Sequence, residues 1–190
     1  MQTTIRLQIE KIIENFNTLN DKKYFDKILN ASDIIVKTLK NKKKVIFLGN
    51  GGSASDAEHL SAELLGRYLK NRNPFASLSI TSNSASLTAI SNDFGYGQSF
   101  SRQIKGLASK GDTVFAISTS MRSKNVINAV NESIKKGCKT IILASEISNK
   151  NLSKKVDLFI DCPGKRVDRI QEVQIAVGHM ICGIVEEKLK

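Results

Sequence analysis

The chain has 190 residues, 41% of them hydrophobic and 25% charged, which is typical of a folded globular domain. No apolar run approaches the roughly 18 residues that cross a bilayer, and the N-terminus lacks the apolar block of a secretory signal, so we expect a cytoplasmic protein without a membrane partner. The net charge of +11 comes from dispersed lysines without interleaved aromatics. This pattern favours a solvated lysine surface over an anion-attracting surface, and both over a nucleic-acid groove.

Two amphipathic helices are predicted ahead of any strand. Residues 5–19 carry apolar side chains at helical spacing, and a second helix is expected from about Lys22 to Leu39. Their wide apolar faces predict packing on the rest of the fold or on another subunit. They form an N-terminal segment, at about residues 1–41, of a single domain that spans residues 1–190.

Apolar strands then alternate with helical patterns. The strands lack polar alternation, so they predict an α/β fold: a doubly wound three-layer sandwich with a five-stranded parallel sheet. Ligands bind such sheets beyond the carboxyl ends of the strands, where the loops after Leu48, Ile80 and Ile117 are expected to meet. The predicted strands are residues 45–48, 75–80, 113–117, 140–143 and 156–160. The predicted helices are residues 53–68, 84–92, 97–108, 124–136, 149–154 and 166–189.

Three cysteines are present, an odd number, and they are far apart in the sequence. Cys138, Cys162 and Cys182 therefore predict reduced thiols in a reducing compartment.

The loop after the first strand has the sequence GNGGS at residues 49–53 and leads into a helix. Its glycines permit a tight turn and close approach of the backbone to a ligand. Ser53 is placed to cap the helix, whose free backbone N–H groups favour an anion. The spacing matches neither the dinucleotide motif GxGxxG nor the phosphate motif GxxxxGK[ST]. The loop predicts an anion site of another kind, unless it is a plain strand-to-helix turn.

A second loop with the same placement, STSMRS at residues 118–123, follows the third strand and opens a helix. Four hydroxyl groups, those of Ser118, Thr119, Ser120 and Ser123, can donate hydrogen bonds to phosphate oxygens. Runs of Ser and Thr are common in loops, but two such loops at neighbouring strand ends predict one anion site.

His59 and Glu63 lie on the helix after the first loop, four residues apart and hence on one face. That spacing suits a shared metal ion, a joint proton transfer or a plain hydrogen-bonded surface pair. The second histidine of the chain, His179, lies on the last predicted helix beyond the motif DRIQE at residues 168–172. These residues beside an anion site favour an enzyme that acts on a small phosphorylated molecule.

Four motifs in this order and spacing resemble the phosphoheptose isomerase family of the sugar-isomerase (SIS) superfamily: GNGGSASDAEHLSAELLGRY, SNDFG, STSMRSKNV and DRIQEVQIAVGH. The match covers the chain from about Lys22 onward, although GNGGS and STS alone mark only the superfamily. The resemblance implies a homotetrameric aldose–ketose isomerase with active sites at subunit interfaces. Its substrate would be sedoheptulose 7-phosphate and its product D-glycero-D-manno-heptose 7-phosphate, used for heptoses of lipopolysaccharide or capsule.

The resemblance also implies roles for individual residues. The positions that hold the phosphate are Ser118, Thr119, Ser120 and Ser123. Further substrate-binding positions are Asn50, Gly51, Gly52, Ser53, Glu63, Asn92, Asp93, Asp168 and Gln171. The zinc-ligand positions are His59, Glu63, Gln171 and His179.

The expected reaction moves a proton between C1 and C2 through an enediol, which needs one base that reaches both carbons. Glu63 is the expected carbon base. His179, with an ordinary pKa near neutrality, is expected to move the oxygen protons. Zinc either polarises the carbonyl and stabilises the enediolate or holds the site in shape.

The implied zinc ligands raise a geometric problem. Gln171 and His179 are eight residues apart, about 12 Å along a helix. One ion reaches both only if their side chains lean towards each other, if the helix is interrupted or if two subunits contribute. Because Gln is a poorer zinc ligand than His, Cys or a carboxylate, we expect partial occupancy.

One departure from the family pattern concerns the second loop. Relatives usually carry glycine where this chain has Met121, so a side chain there is expected to crowd the loop or to shift its backbone.

The alternative function is a non-catalytic SIS tetramer that binds a protein, like the DnaA-binding initiator-associating relative, which shares GNGGS and RIQE. The late histidine, His179, favours the enzyme. A third possibility is the sugar-phosphate-sensing SIS domain of a transcription regulator, and the lack of a helix-turn-helix pattern ahead of residue 40 argues against it.

Overall fold

The computed structural model describes residues 1–145 and 150–189. Five strands form one sheet, and every neighbouring pair is parallel, as predicted. The strands are β1 (Val45–Leu48), β2 (Ser77–Ser79), β3 (Thr113–Ile117), β4 (Lys139–Ala144) and β5 (Leu158–Asp161). Their spatial order is β2-β1-β3-β4-β5, so β1 and β3, which precede the two predicted anion loops, are neighbours.

The helices occur where the sequence predicts them, with shifted ends. They are α1 (Gln2–Leu19), α2 (Lys22–Lys40), α3 (Gly52–Leu65), α4 (Ser84–Phe94), α5 (Ser99–Leu107), α6 (Lys124–Lys135), α7 (Lys150–Ser153) and α8 (Val167–Lys188). A 3-10 turn over Tyr96–Gln98 precedes α5. The first residue of the helix predicted over 149–154 lies outside the described residues.

Two of the shifted ends have one shared reason. Helix α3 ends at Leu65 instead of continuing to Tyr68, and β2 begins at Ser77 instead of Phe75. The backbone N–H of Phe75 donates to the carbonyl of Leu64 at 3.0 Å, which folds the intervening segment back onto the end of α3. Its apolar residues therefore extend neither the helix nor the strand.

The sheet separates two hydrophobic cores. Phe47 and Phe115 face a core shared with α2, α3 and α8. Ile46 and Val114, one residue earlier on the same strands, face a core shared with α5 and α6. This alternation is the strand period of two, and it confirms the predicted three-layer arrangement.

The two N-terminal helices differ in burial. Helix α2 buries seven residues, among them Ile28 and Ile35, in the core beneath the sheet. In the described part of the chain, α1 buries only Leu19. Helix α2 is therefore an integral layer of the fold, whereas α1 leaves most of its surface open.

The three cysteines are free and buried, as predicted. Burial raises the pKa of each thiol, that of Cys138 to about 11, so they stay protonated and poorly nucleophilic at neutral pH. Within residues 1–145 and 150–189 no helix is long and apolar enough to cross a membrane.

Candidate active site

The candidate site lies where α3 and α8 run side by side in the same direction. Gly52 of α3 faces Gln171 of α8, and Leu60 faces Gly178 two turns further on. A Cβ atom on Gly178 would lie 2.4 Å from Cδ1 of Leu60, so the helices approach this closely only because residue 178 is glycine.

That close approach assembles a cluster of His59, Glu63 and His179, the cluster residues. Nε2 of His59 lies 3.0 Å from Oε1 of Glu63 and 3.4 Å from Nε2 of His179. One ligand atom from each residue falls within 4.8 Å of the others. Two imidazole nitrogens and a carboxylate oxygen are a donor set of catalytic zinc sites, which use three protein ligands and leave a position for water or substrate. The cluster residues can therefore hold a metal ion.

Gln171, the fourth predicted ligand, does not lie beside the three cluster residues. A Cβ atom on Gly52 would lie 2.4 Å from Nε2 of Gln171, which places this amide against the start of α3. Helix α8 is continuous from Val167 to Lys188, so Gln171 and His179 are separated by about 12 Å of helix. The structure thus excludes an interrupted helix and brings three of the four predicted ligands together within one chain.

The electrostatics of the cluster favour a neutral His179. Partial burial lowers its pKa, the neighbouring His59 lowers it further, and Glu63 acts in the opposite sense. A neutral imidazole can accept a proton and can bind a metal ion.

Asp56 is a carboxylate near the cluster that the sequence did not single out. It precedes His59 by one turn of α3, and its Oδ2 atom is buried without a hydrogen-bond partner among the described residues. Burial raises the pKa of Asp56 to about 6, although His59 acts to lower it.

The glycine loop turns tightly into α3. Gly51 has a φ of +56° and is the N-cap residue. A Cβ atom on Gly49 would lie 2.4 Å from the carbonyl oxygen of Ser53. The expectation that Ser53 caps the helix is wrong, because the tight turn at Gly51 starts the helix earlier and leaves Ser53 inside its first turn, 3% exposed.

The serine loop, residues 118–123, connects β3 to α6. The hydroxyl of Ser118 accepts a hydrogen bond from the backbone N–H of Met121 at 3.1 Å. Ser123 is the N-cap of α6, and its own side chain makes no cap bond. Oδ1 of Asn125 accepts from the backbone N–H of Val126 at 3.0 Å, so one donor of the first turn is already bound. The other N–H groups of this first turn, which follows a loop rich in hydroxyl groups, are suited to bind an anion.

Met121 has a backbone conformation that favours glycine. Its φ is +49°, in the left-handed region. Its side chain is 1% exposed and lies in the core beside α5 and α6. The side chain is therefore packed inside the protein and does not crowd the surface of the loop.

Direct hydrogen bonds join the glycine loop to the first turn of α6, which follows the serine loop. The amides of Asn50 and Asn125 exchange two hydrogen bonds, each of 2.9 Å. The hydroxyl of Tyr96 donates to Oδ1 of Asn50 at 2.8 Å. The loop after β2 contacts α3, where the hydroxyl of Thr81 donates to the exposed Glu58 at 2.8 Å.

Comparison with known proteins places this architecture in a family. The SIS domain family matches residues 8–145. A phosphoheptose isomerase of Sulfurimonas denitrificans is 40% identical over 190 residues, which cover the whole of this chain and 97% of that protein. One of Nitratiruptor sp. is 43% identical over 160 residues, or 84% of this chain and 85% of that protein.

The chain belongs to the phosphoheptose isomerase family of SIS-domain proteins. A solved phosphoheptose isomerase from Neisseria gonorrhoeae superposes with a TM-score of 0.89 at 30% identity, covering 98% of both chains. One from Francisella tularensis gives 0.86 at 28% identity, covering 98% of this chain and 96% of that one.

The remaining family positions lie at the ends of α4 and α8. Asn92 and Asp93 are exposed at the end of α4, where the Asn92 amide donates to the Asp93 carboxylate at 3.0 Å. Asp168 begins α8, and its ion pair with Arg166, at 2.5 Å, holds the pKa of Asp168 below its usual value.

One residue that supports the phosphoheptose isomerase site escaped the sequence analysis. The buried amide of Gln174 donates to the carbonyls of Ser118 at 3.0 Å and Leu143 at 2.9 Å. It ties the serine loop to α8. Its position in DRIQEVQ, close to Gln171 and Glu172, gave no signal that separates it from a surface residue.

Proposed function

We propose that the protein is an aldose–ketose isomerase that converts sedoheptulose 7-phosphate to D-glycero-D-manno-heptose 7-phosphate through an enediol. The observation that carries this proposal is the cluster of His59, Glu63 and His179 in a chain that belongs to the phosphoheptose isomerase family. The cluster lies on α3, which follows the glycine loop, and on α8, whose Gln174 holds the serine loop.

The phosphate of the sugar binds at the serine loop in this proposal. In this proposal, hydroxyls of Ser118, Thr119, Ser120 and Ser123 donate to the phosphate just ahead of α6, whose first N–H groups and helix dipole favour negative charge. The glycine loop, with Asn50, Gly51, Gly52 and Ser53, forms the neighbouring wall, and Asn92, Asp93, Asp168 and Gln171 contact the sugar. The cluster residues then face the reacting end.

Glu63 and His179 divide the proton transfers between them. Glu63 removes a proton from C1 of the ketose, which gives the enediol, and returns it to C2. His179 accepts the proton of the C1 hydroxyl as that carbon becomes the aldehyde, and it delivers a proton to the C2 oxygen. Its pKa is lowered, so the neutral form that must accept the proton dominates at neutral pH.

We propose that zinc is the metal held by His59, Glu63 and His179. When bound, zinc would polarise the substrate carbonyl and stabilise negative charge on the enediolate oxygens. Gln171 joins these ligands only from a second subunit in this proposal, because within one chain its amide lies against Gly52.

A homotetramer with active sites at subunit interfaces is part of the proposal. Apolar residues of α1 are exposed at helical spacing: Ile5, Ile9, Ile13 and Phe16. A groove beside His179 is lined by Phe25, Leu29, Leu69 and Met180. Exposed apolar surfaces of this kind mark contacts with other subunits.

The buried free thiols support a cytoplasmic location in this proposal. The lysines are dispersed along the sequence, which is typical of a solvated surface, so the proposal includes no nucleic-acid partner.

Turnover of sedoheptulose 7-phosphate tests this function directly. Wild type is expected to equilibrate the two sugar phosphates. Glu63→Gln keeps the shape of the side chain but cannot take up the carbon proton, so kcat is expected to fall by at least about 100-fold. His179→Ala is expected to lose activity, because no side chain then transfers the proton between the C1 and C2 oxygens. Undiminished turnover by Glu63→Gln removes that residue as the base.

The alternative, a non-catalytic tetramer that binds a replication initiator, finds no support among the relatives and structures described above. Co-purification with such an initiator, together with a wild type that lacks isomerase activity, would favour it instead.

A further inference from the structure

We propose that Arg72 and Glu186 form a clamp that positions Glu63 and His179 for the reaction. This inference rests on the proposed function, since it concerns residues that support the same site. Neither residue belongs to the cluster, and both lie behind it, between the ends of α3 and α8.

Arg72 holds the last turn of α3, which contains Glu63. Its guanidinium donates to the backbone carbonyls of Glu63 at 2.7 Å, Leu64 at 2.9 Å and Gly66 at 3.1 Å. These carbonyls lie at the end of the helix, where helical partners are lacking. The guanidinium also stacks over the ring of Phe75 at 3.9 Å. The backbone that carries Glu63 is thereby fixed from one side.

Glu186 fixes the same segment from α8. It lies two turns after His179, is 3% exposed and accepts a hydrogen bond from Nε of Arg72 at 3.0 Å. It also accepts from the backbone N–H groups of Tyr68 at 3.3 Å and Leu69 at 3.0 Å. Burial acts to raise the pKa of Glu186, but these donors outweigh it and hold the pKa below its usual value. Glu186 is therefore charged at neutral pH, and both of its carboxylate oxygens accept hydrogen bonds.

The segment held in this way reaches the cluster through Tyr68. The Tyr68 ring stacks on the His179 imidazole, with centroids 5.7 Å apart and planes 12° apart. A continuous series of contacts therefore connects Glu63 to His179. It passes through Arg72, Glu186 and Tyr68. One ion pair thus sets the position of the carbon base and the ring plane of the oxygen-proton carrier.

The test compares Arg72→Lys and Glu186→Gln with Asp112→Asn as a matched control. The ion pair of Asp112 with Lys44 is also buried, at 2.6 Å, with Asp112 1% exposed. Asp112 accepts hydrogen bonds from Lys44 and Ser109 where β1 and β3 begin, and none of these bonds involves Arg72, Glu186 or Tyr68. Glu186→Gln and Asp112→Asn each remove the charge of a buried carboxylate, so a general loss of stability affects these two variants alike. Arg72→Lys keeps the positive charge but loses the guanidinium hydrogen bonds of the clamp.

Three measurements are made on the folded full-length protein. Zn²⁺ affinity, from competition with a chelating dye, is expected to fall by about 10- to 100-fold in the clamp variants, as for other residues that orient metal ligands. The kcat for sedoheptulose 7-phosphate is expected to fall by a similar factor, with KM changed less because the serine loop is untouched. The chain has two histidines, so its ring-proton NMR signals can be assigned. The His179 signal is expected to shift as the Tyr68 ring moves.

The outcomes separate the clamp from the proposed function. If Arg72→Lys and Glu186→Gln have the same His179 signal and the same Zn²⁺ affinity as Asp112→Asn, then Arg72 and Glu186 only stabilise the fold. That result would overturn the clamp. A wild type without turnover would overturn the proposed function. The NMR and Zn²⁺ measurements would still decide on the clamp in that case.

Discussion

Met121 shows how a single residue can keep a loop while breaking the pattern of its relatives. A left-handed backbone costs an ordinary residue about 1–2 kcal/mol. Burial of the whole methionine side chain, 1% exposed, contributes in the opposite direction, about 1.5–3 kcal/mol. The two terms nearly balance, so methionine is tolerated where glycine is usual and the anion loop keeps its shape.

Two substitutions at this position separate the two terms. Met121→Ala opens a cavity and keeps the backbone strain, so we expect it to lower the free energy of unfolding by about 2–4 kcal/mol. Met121→Gly opens the same cavity but relieves the strain, so we expect a loss smaller by about 1 kcal/mol. Urea unfolding measures both. A glycine variant less stable than the alanine variant would contradict the strain at φ +49°.

The residues of the site divide by how they could be found in the sequence. Asn50, Ser118 and His59 lie in compact motifs at strand ends, where local spacing already indicates chemistry. Asn125 and Arg72 contribute through partners that are distant in sequence, Asn50 for the first and Glu186 for the second. No local pattern distinguishes such a side chain from a solvated one, so only the tertiary structure reveals it.

At the scale of elements, α8 organises the whole site. Along its length Gln171 lies against the glycine loop, Gln174 holds the serine loop and His179 completes the cluster. The sequence predicted this helix and its two ends within a residue, because its apolar residues recur at helical spacing. Its close approach to α3 was not predictable, because the contact depends on the missing side chain of Gly178 against Leu60.

Gly178→Ala tests that close approach. The new methyl group would lie 2.4 Å from Leu60, so α8 or Leu60 must move and His179 is expected to leave its place beside His59. We expect a loss of about 1–3 kcal/mol in stability and a lower kcat for sedoheptulose 7-phosphate.

Gly183→Ala is the control on the same helix. Nothing lies closer than 3.5 Å to a Cβ atom there, so we expect unchanged or slightly higher stability, because alanine is the better helix former. Equal effects of the two substitutions, measured by thermal unfolding and turnover, would contradict the role of Gly178.

At the scale of the molecule, an apolar face of α1 stays exposed to solvent in the single chain. Ile5, Ile9 and Ile13 are 60%, 50% and 52% exposed, although they recur at helical spacing as core residues do. The sequence left open whether this face packs on the rest of the chain or on another subunit. In the described part of the chain α1 buries only Leu19, so a single chain leaves the face uncovered.

The double substitution Ile9→Glu and Ile13→Glu is therefore expected to dissociate the proposed tetramer, since it places two charges on a face that other subunits cover. Lys11→Glu, on the opposite side of α1, also introduces a glutamate and is expected to leave the assembly intact. Analytical ultracentrifugation measures the mass of each variant. An unchanged mass of the double variant would show that this face is not the interface.

The dissociated protein would also reveal what a second subunit gives to the site. His59, Glu63 and His179 come together within one chain, so a dissociated variant is expected to retain Zn²⁺ binding. If Gln171 reaches the metal from a neighbour, the affinity of that variant falls, and Gln171→Ala in the intact assembly lowers it to the same extent. Because dissociation and Gln171→Ala remove the same contact between Gln171 and the metal, combining the two changes is expected to lower the Zn²⁺ affinity no further.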